Sequence, residues 1–415
     1  MVRDLKYLLP IAVMILAIGI VIYMQPDSGR VQHMDDSGVT SEKVSEVVNA
    51  NNKFAFDLYS KYRVKYNERN VFFSPYSIST ALAMTYEGAR GKTAEEIRSV
   101  FHFPEDNSAR RSGMARIYNE LNKGSNSYEL KTANALWAQK DYPFLSEYFN
   151  ITQNYYGGNV TNLDFMGDSA GARSKINAWA EDQTNGRIKN LLSENPDPTT
   201  RLILTNAIYF KGKWLMQFDK SSTREMDFWV SNNTSVKVQM MALSGQKGSY
   251  AETEDMQILE LPYEGEDLSM LILLPREKSI DRLETSLNAE KLSELKGKLQ
   301  ISKVTVLLPR FRFETAYSMA EDLKELGMPT ALGNEADFSG MTGAKDLYIG
   351  EVVHKAFVEV NEEGTEAAAA TEVGMKTASV EISNSFIADH PFIFIIQQKD
   401  TGNILFIGRV INPNE

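Results

Sequence analysis

The spacing of apolar residues changes along the chain between the period of a helix and that of a strand. One group recurs at the three- and four-residue steps of a single helix face. It consists of Phe54, Leu58, Tyr59 and Tyr62. Other stretches are short and dense in β-branched and aromatic residues, which is typical of buried strands. They are residues 201–210, 268–275, 304–314 and 392–396. No repeat of fixed length occurs, so the pattern predicts one α+β domain over residues 47–415.

The C-terminal end predicts a buried hairpin. Two apolar runs flank a short polar stretch around Asp400, Thr401, Gly402 and Asn403. Glycine and asparagine are frequent in tight turns between antiparallel strands. We therefore expect two neighbouring strands inside the domain.

The N-terminal end differs in kind from the rest. Arg3 and Lys6 precede an uncharged stretch over residues 7–26, which as a helix is about 30 Å long and can cross a bilayer. Residues 1–26 therefore predict a signal anchor, with a cleaved signal peptide as the alternative. Residues 27–46 are polar and predict a tether. The domain is then expected to be extracellular, either anchored to the membrane or secreted.

Composition excludes several kinds of chemistry. The chain has no cysteine, which removes disulfides, thiolate metal sites and thiol nucleophiles. Its four histidines, none of them at a metal-binding spacing on one helix, are His33, His102, His354 and His390. The formal net charge is −11, which repels phosphate backbones. We therefore expect no metal, no cofactor and no nucleic-acid partner.

Two enzyme motifs are incomplete. Residues 87–93 end in Gly-Lys-Thr like a phosphate-binding loop, but Tyr86 stands where the first glycine is required. Its glycines are better interpreted as the end of one helix, with Thr93 and Glu96 capping the next. The G-x-S-x-G pattern of many hydrolases does not occur in the sequence. The sequence therefore does not predict an enzyme.

The stretch 358–386 permits two conformations. Read at period two, one face from Thr365 to Met375 is small or apolar and the other carries the charges, which predicts a strand that can be buried on one side. Four consecutive alanines over 367–370 instead favour a short exposed helix with Thr365 as its cap. Both interpretations stay open on pattern alone.

Five long motifs occur in order along the chain. They are NVFFSPYSISTALAMTYEGARGKTAEEI (70–97), LILTNAIYFKGKWLMQF (202–218), LPRFRFE (308–314), HKAFVEVNEEGTEAAAAT (354–371) and FIADHPFIFII (386–396). With these motifs the chain resembles the serpin family from about Asn49 to the C-terminus, and the last of them matches the family's C-terminal signature at every position.

The resemblance implies a fold of three β-sheets with eight or nine helices and an exposed reactive-centre loop over about 362–386. It implies a monomeric suicide-type inhibitor that forms a covalent complex with a serine protease. The cleaved loop would enter the main sheet as an extra strand and trap the acyl-enzyme. A non-inhibitory serpin that acts as a binding or chaperone module is the alternative.

The resemblance also implies the site residues. The hinge consists of Glu362, Glu363, Gly364, Thr365, Glu366, Ala367, Ala368, Ala369 and Ala370. Counting seventeen residues from Glu362 places the cleaved bond at Ala378–Ser379, with Thr377 or Val380 as alternatives. These small residues suit elastase-like or subtilisin-like proteases. The region where the main sheet opens comprises Ser74, Ser77, Asn206 and His354, with Trp214 at its top.

Overall fold

The computed structural model describes residues 33–124, 127–365 and 384–415. Residues 33–415 belong to one compact unit, and the predicted membrane segment 1–26 lies outside the described residues. Among the residues that are described, no helix is both long enough and apolar enough to cross a bilayer.

The described residues form ten α-helices. They are α1 (Ser41–Lys65), α2 (Pro75–Gly88), α3 (Gly91–Phe101), α4 (Asn107–Leu121), α5 (Ser146–Tyr156), α6 (Ser169–Gln183), α7 (Asp281–Ser286), α8 (Ala289–Lys296), α9 (Ala320–Leu326) and α10 (Ser339–Thr342). The face predicted from the helical period lies in α1 and is buried.

The same part of the chain forms fifteen strands. They are β1 (Val71–Phe73), β2 (Tyr128–Gln139), β3 (Asn159–Leu163), β4 (Leu202–Lys213), β5 (Arg224–Trp229), β6 (Ser235–Glu252), β7 (Met256–Pro262), β8 (Leu268–Pro275), β9 (Gln300–Pro309), β10 (Phe311–Ser318), β11 (Ile349–Asn361), β12 (Gly364–Thr365), β13 (Asn384–Ile387), β14 (Phe392–Gln398) and β15 (Ile404–Val410).

The strands form two continuous sheets within the described residues. A six-stranded sheet has the order β10-β11-β12-β4-β2-β3, and a nine-stranded sheet has the order β1-β15-β14-β8-β7-β6-β9-β13 with β5 paired to β6. The resemblance implies three sheets, but here the long strand β6 joins two groups of strands. It pairs with β5 before a register shift between Leu243 and Gln246 and with β7 after it, while β9 pairs with β6 on both sides of the shift. The predicted α+β class is confirmed.

The predicted C-terminal hairpin is confirmed as β14 and β15, which pair antiparallel in the nine-stranded sheet and lie between β1 and β8. Every residue of both strands is buried. Phe72 of β1 stacks on Phe406 with a centroid separation of 5.2 Å and on Phe394 with one of 5.6 Å. This aromatic stack ties the hairpin to the start of α2, which follows β1 in the chain.

The stretch 304–314 does not form the single strand that its apolar density predicts. β9 ends at Pro309 and β10 begins at Phe311, and the two strands belong to different sheets. Proline lacks the amide hydrogen that a continuing ladder needs, so the chain leaves one sheet there and enters the other. Arg310 lies at the crossing, which places its side chain beside the hinge.

The folded unit begins earlier than the predicted boundary at residue 47. Helix α1 begins at Ser41, and Thr40 caps it by accepting a bond from the Lys43 amide. Met34 is fully buried, its amide donates to Asn119 Oδ1 at 2.8 Å, and Asn119 Nδ2 donates to the Met34 carbonyl at 2.9 Å. The predicted tether is therefore wrong for residues 33–46, because isolated apolar residues in a polar stretch can still be anchors.

The predicted cap of α3 is also wrong. The helix begins at Gly91 with Arg90 as its N-cap, and no side chain there bonds to a helix amide. Thr93 lies in the first turn, where its hydroxyl accepts from the Asp337 amide at 2.9 Å. Glu96 accepts from the amide of Thr330 at 2.8 Å. Both side chains therefore join α3 to the chain around residues 330–337 instead of closing the helix end.

Candidate functional site

The two central strands of the six-stranded sheet run parallel to each other. Strand β11 pairs with β4 from Ile349 to Phe357, and His354 lies opposite Asn206. Beyond Phe357 the two strands separate, and β12 lies between them. Thr365 pairs with Val360 on one side and with Gly212 on the other, antiparallel to both. The start of the predicted hinge therefore occupies the position of an additional central strand.

A close backbone approach explains the glycine in β12. Gly364 has φ +154°, in the region that residues with a side chain rarely adopt. A Cβ atom there would lie 2.0 Å from the carbonyl oxygen of Gly212 and 2.7 Å from the Lys213 Cα. Both obstacles are backbone atoms that cannot rotate away, so β12 requires glycine at this position.

Thr365 is the last residue of the hinge that the structure describes, and it is 1% exposed. Its hydroxyl lies 2.8 Å from the hydroxyl of Tyr263. The Tyr263 ring stacks on Trp214 with a centroid separation of 4.7 Å and an interplanar angle of 10°. The Trp214 indole donates from Nε1 to the Asn361 carbonyl at 3.0 Å. Trp214 therefore supports both the end of β11 and the aromatic ring that contacts the hinge.

Two acidic residues fix the turn between β11 and β12. Glu362 accepts hydrogen bonds from Arg310 Nε at 2.8 and 2.9 Å, and Thr223 also contacts its carboxylate. Burial opposes ionisation of this carboxyl, but the bonds from Arg310 and Thr223 prevail and hold the pKa of Glu362 below its usual value. Glu363 forms an ion pair with Lys220.

Backbone groups hold the same turn from the other side. The Phe218 amide donates to the Glu362 carbonyl at 2.9 Å, and the Trp214 amide donates to the Glu363 carbonyl at 2.9 Å. Both donors follow β4, so this strand and its continuation hold the turn at two consecutive residues. The hinge is therefore held by its backbone as well as by its side chains.

A polar network lies where α2 contacts the part of the sheet in which β11 and β4 pair parallel. The Ser74 hydroxyl donates to the Leu405 carbonyl at 2.6 Å and accepts from the Ser77 amide at 3.1 Å. The Ser77 hydroxyl donates to Asn134 Oδ1 at 3.2 Å, and Asn206 Nδ2 donates to both Ser77 and Asn134. All of these side chains are buried. The network joins α2 to the three strands β2, β4 and β15.

His354 connects β11 to this network. Its Nε2 accepts from the Ser74 amide at 3.1 Å, so Nδ1 carries the ring hydrogen and donates to Asn206 Oδ1. Burial lowers the pKa of His354 to about 3, because the charged ring would lose its hydration. A proton on Nε2 would also face the Ser74 N–H directly. The network therefore requires a neutral His354.

This requirement predicts a loss of stability in acid. The unfolded chain binds a proton at His354 below pH of about 6.5, whereas the folded protein does not bind it until about pH 3. The stabilisation is therefore complete above pH 6.5 and is lost as the pH falls towards 3. Between pH 7 and pH 5 we expect His354 to lower the free energy of unfolding by about 2 kcal/mol.

Urea unfolding at several pH values would measure this effect. His354→Gln should flatten the pH dependence by that amount, since carboxyl groups contribute equally to both proteins. Ser77→Ala, which alters the same network without removing a titratable group, should leave the slope as it is. Equal slopes for His354→Gln and the unsubstituted protein would contradict the neutral-histidine interpretation.

The structure brings together four of the residues named for the opening region: Ser74, Ser77, Asn206 and His354. Sequence reasoning missed Asn134, which lies directly opposite Asn206 in the β2–β4 register. A signal was present, because TANAL (132–136) and LTNAI (204–208) both place an asparagine between small or apolar residues. Arg310 was also missed although it lies within the motif LPRFRFE (308–314), and Tyr263 was missed because no local pattern marks it.

The remainder of the predicted loop lies outside the described residues. This applies to the hinge residues Glu366, Ala367, Ala368, Ala369 and Ala370 and to the bond between Ala378 and Ser379. The structure gives the two attachment points: Thr365 in the six-stranded sheet and Asn384, where β13 begins to pair with β9 in the nine-stranded sheet. The predicted loop therefore connects the two sheets.

Comparison with known proteins gives one consistent family. A family model described as serpin (serine protease inhibitor) matches residues 49–413. An uncharacterized serpin-like protein of Thermococcus kodakarensis is 46% identical over 89% of this chain and 86% of its own length. The leukocyte elastase inhibitor of Bos taurus is 42% identical over 88% of this chain and 98% of its own.

A solved structure agrees in fold. Serpin48 of the insect Tenebrio molitor, described as a highly specific serpin, superposes with a TM-score of 0.81. It is 37% identical, and the match covers 90% of this chain and 100% of that one. The family model extends over most of the part of the chain in which the sheets and the hinge lie. The chain belongs to the serpin family.

Proposed function

We propose that this protein inhibits serine proteases by trapping them as acyl-enzymes. The supporting observation is the position of β12, which already lies between β11 and β4 while the rest of that boundary is closed. A cleaved loop has a direct path from this position, because each further residue would enter next to the one before it. The protein would thus act as an inhibitor rather than as an enzyme.

The strand directions favour this insertion. In the described state β11 and β4 pair parallel, whereas β12 is antiparallel to both neighbours. Extending β12 would replace one parallel ladder with two antiparallel ladders, and antiparallel pairing is the more stable per residue. Each added ladder bond contributes roughly 0.5–1.5 kcal/mol. The inserted state therefore gains bonds that the uncleaved protein lacks.

The chemistry of trapping is a competition between two rates. The protease serine would attack the carbonyl carbon of Ala378, the bond to the Ser379 nitrogen would break, and the new amine would take a proton from the protease histidine. The Ala378 side of the loop then remains as an ester on the protease. If β12 extends before water hydrolyses this ester, the protease is carried away from its working geometry. If hydrolysis is faster, the protein is merely a substrate.

We propose elastase-like or subtilisin-like proteases as targets. Ala378 is small and uncharged, which suits a shallow specificity pocket. The bovine relative that is named a leukocyte elastase inhibitor supports the same class. Lys376 would suit a trypsin-like protease, but cleavage there shortens the insertable segment by two residues.

The test uses the full chain and a panel of elastase-, subtilisin- and trypsin-like proteases. We expect a covalent adduct that survives denaturant with at least one elastase- or subtilisin-like enzyme, together with a released fragment that begins at Ser379. Mass spectrometry of that fragment identifies the bond. Cleavage by every protease without an adduct and without loss of protease activity would overturn the proposal and favour a non-inhibitory binding role.

A further inference from the structure

Tyr263 is packed tightly beside Thr365, the last described residue of the hinge. It follows β7, is fully buried, and its amide donates to the Leu268 carbonyl at 3.0 Å. Its ring stacks on Trp214 and meets Phe210 edge-on with a centroid separation of 5.0 Å and an angle of 77°. With neighbours on its face and its edge, the ring has no room to turn. The position of its hydroxyl is therefore fixed by the fold.

That hydroxyl meets the hinge at one side chain. Thr365 Oγ1 lies 2.8 Å away, and both residues are buried, so the two hydroxyls satisfy each other away from solvent. Burial raises the pKa of Tyr263, so its hydroxyl keeps its hydrogen at any physiological pH. Threonine supplies the second hydroxyl and is small enough to fit between β4 and β11.

We propose that Tyr263 is a positioning residue that binds the first inserting side chain and selects for a hydroxyl group there. This inference rests on the proposed inhibitory function and adds a residue to it. The bond exists before cleavage, so insertion begins from a residue that is already paired on both sides. Without the bond, the first pair would have to form while the acyl-enzyme is exposed to hydrolysis. Tyr263 therefore influences the proportion of proteases that are trapped.

Three variants separate this role from ordinary destabilisation. Tyr263→Phe and Thr365→Val each leave one buried hydroxyl without a partner, and each should slow insertion about fivefold to tenfold. The stoichiometry of inhibition, which is the number of inhibitor molecules consumed for each protease molecule inactivated, then rises. The rate at which the protease first cleaves the loop is unchanged. The double variant removes both hydroxyls and should return to within about twofold of the unsubstituted protein, because no buried group is then unpaired.

Two further variants complete the set. Thr365→Ser keeps the hydroxyl and should inhibit like the unsubstituted protein. Tyr148→Phe is a matched control, since Tyr148 is a buried tyrosine in α5 whose hydroxyl donates to the Met84 carbonyl at 3.1 Å. It removes the same chemical group at a different part of the fold and should leave the stoichiometry unchanged.

Amide hydrogen exchange of the uncleaved protein tests the same bond without any protease. We expect the peptide that contains Gly364 and Thr365 to exchange about fivefold to tenfold faster in either single variant, and close to normally in the double variant. If no protease is trapped, the proposed function fails and the exchange data still test the bond. Single variants that match the unsubstituted protein, or a double variant worse than either single one, would overturn the role of Tyr263.

Discussion

Replacing Thr365 by arginine is expected to convert the protein from an inhibitor into a substrate. The side chain at this position is 1% exposed and lies between β4 and β11. Arginine would bring a charge into that site, where the neighbouring partner is a neutral tyrosine hydroxyl. Burying an unpaired charge costs about 3 kcal/mol or more, and each 1.4 kcal/mol is a factor of ten in rate. Insertion should therefore slow at least about a hundredfold.

The two described carboxylates of the hinge, Glu362 and Glu363, already have cationic partners. Glu362 is bound by Arg310 and Thr223, and Glu363 is paired with Lys220. Arginine at 365 would have to displace one of these cations or leave the sheet. We therefore expect the substituted hinge to leave the space between β4 and β11. Hydrolysis of the acyl-enzyme should then be faster than insertion of the loop.

The measurement is the number of inhibitor molecules consumed for each protease molecule inactivated. For Thr365→Arg we expect this number to rise beyond measurement, with the loop cleaved and no adduct formed. Thr365→Ser should behave like the unsubstituted protein. Ser231→Arg places the same charge in an exposed turn and controls for the change in net charge. Undiminished trapping by Thr365→Arg would show that the loop does not insert through this position.

Much of the fold is predictable from the sequence, because burial and period are local properties. The apolar face of α1 and the hairpin of β14 and β15 follow directly from residue spacing. The interruption between β9 and β10 at Arg310 does not follow from residue spacing. The apolar residues continue on both sides of Pro309, so the stretch resembles one long strand. The docking of Met34 is equally hidden, because its partner Asn119 is 85 residues away.

The site divides in the same way. The family motifs locate Asn206 and His354, whereas Asn134 emerges only when β2 and β4 are placed in register. Tyr263 meets Thr365 across 102 residues of sequence, and Arg310 meets Glu362 across 52. Such pairs depend on strand order, which the pattern of apolar residues does not specify. The sequence could indicate only the chemical type of such a residue: Thr365, for example, is a small polar residue at a position that must become buried.

The hinge shows how tertiary context decides between two local preferences. Sequence patterns alone leave 358–386 open to an exposed helix or to a strand. In the described part, Gly364 and Thr365 are strand residues with neighbours on both sides. Backbone pairing between two parted strands outweighs the weak preference of Thr365 for a helix cap. The strand interpretation therefore holds for Gly364 and Thr365, and the alternation of the later residues, which lie outside the described part of the chain, stays a prediction.

Replacing Gly364 by alanine is expected to remove β12 from the sheet. The new Cβ would lie 2.0 Å from the Gly212 carbonyl oxygen, and φ of +154° is strained for alanine. Expelling the hinge breaks the bonds from the Trp214 and Phe218 amides and the contact between Thr365 and Tyr263. At roughly 0.5–1.5 kcal/mol each, these three interactions amount to about 3 kcal/mol. Exchange of the Trp214 and Phe218 amides should accelerate about a hundredfold.

The same substitution should also impair trapping, because an extended β12 would need the same close approach at residue 364. Gly248→Ala is the matched control: it lies in β6, and its Cβ would meet its nearest neighbour, Leu259 Cδ1, at an ordinary 3.8 Å. Exchange and stoichiometry in that variant should stay near those of the unsubstituted protein. If Gly364→Ala keeps full protection at Trp214 and Phe218, the strands can separate locally to admit a methyl group. The requirement for glycine at residue 364 would then be wrong.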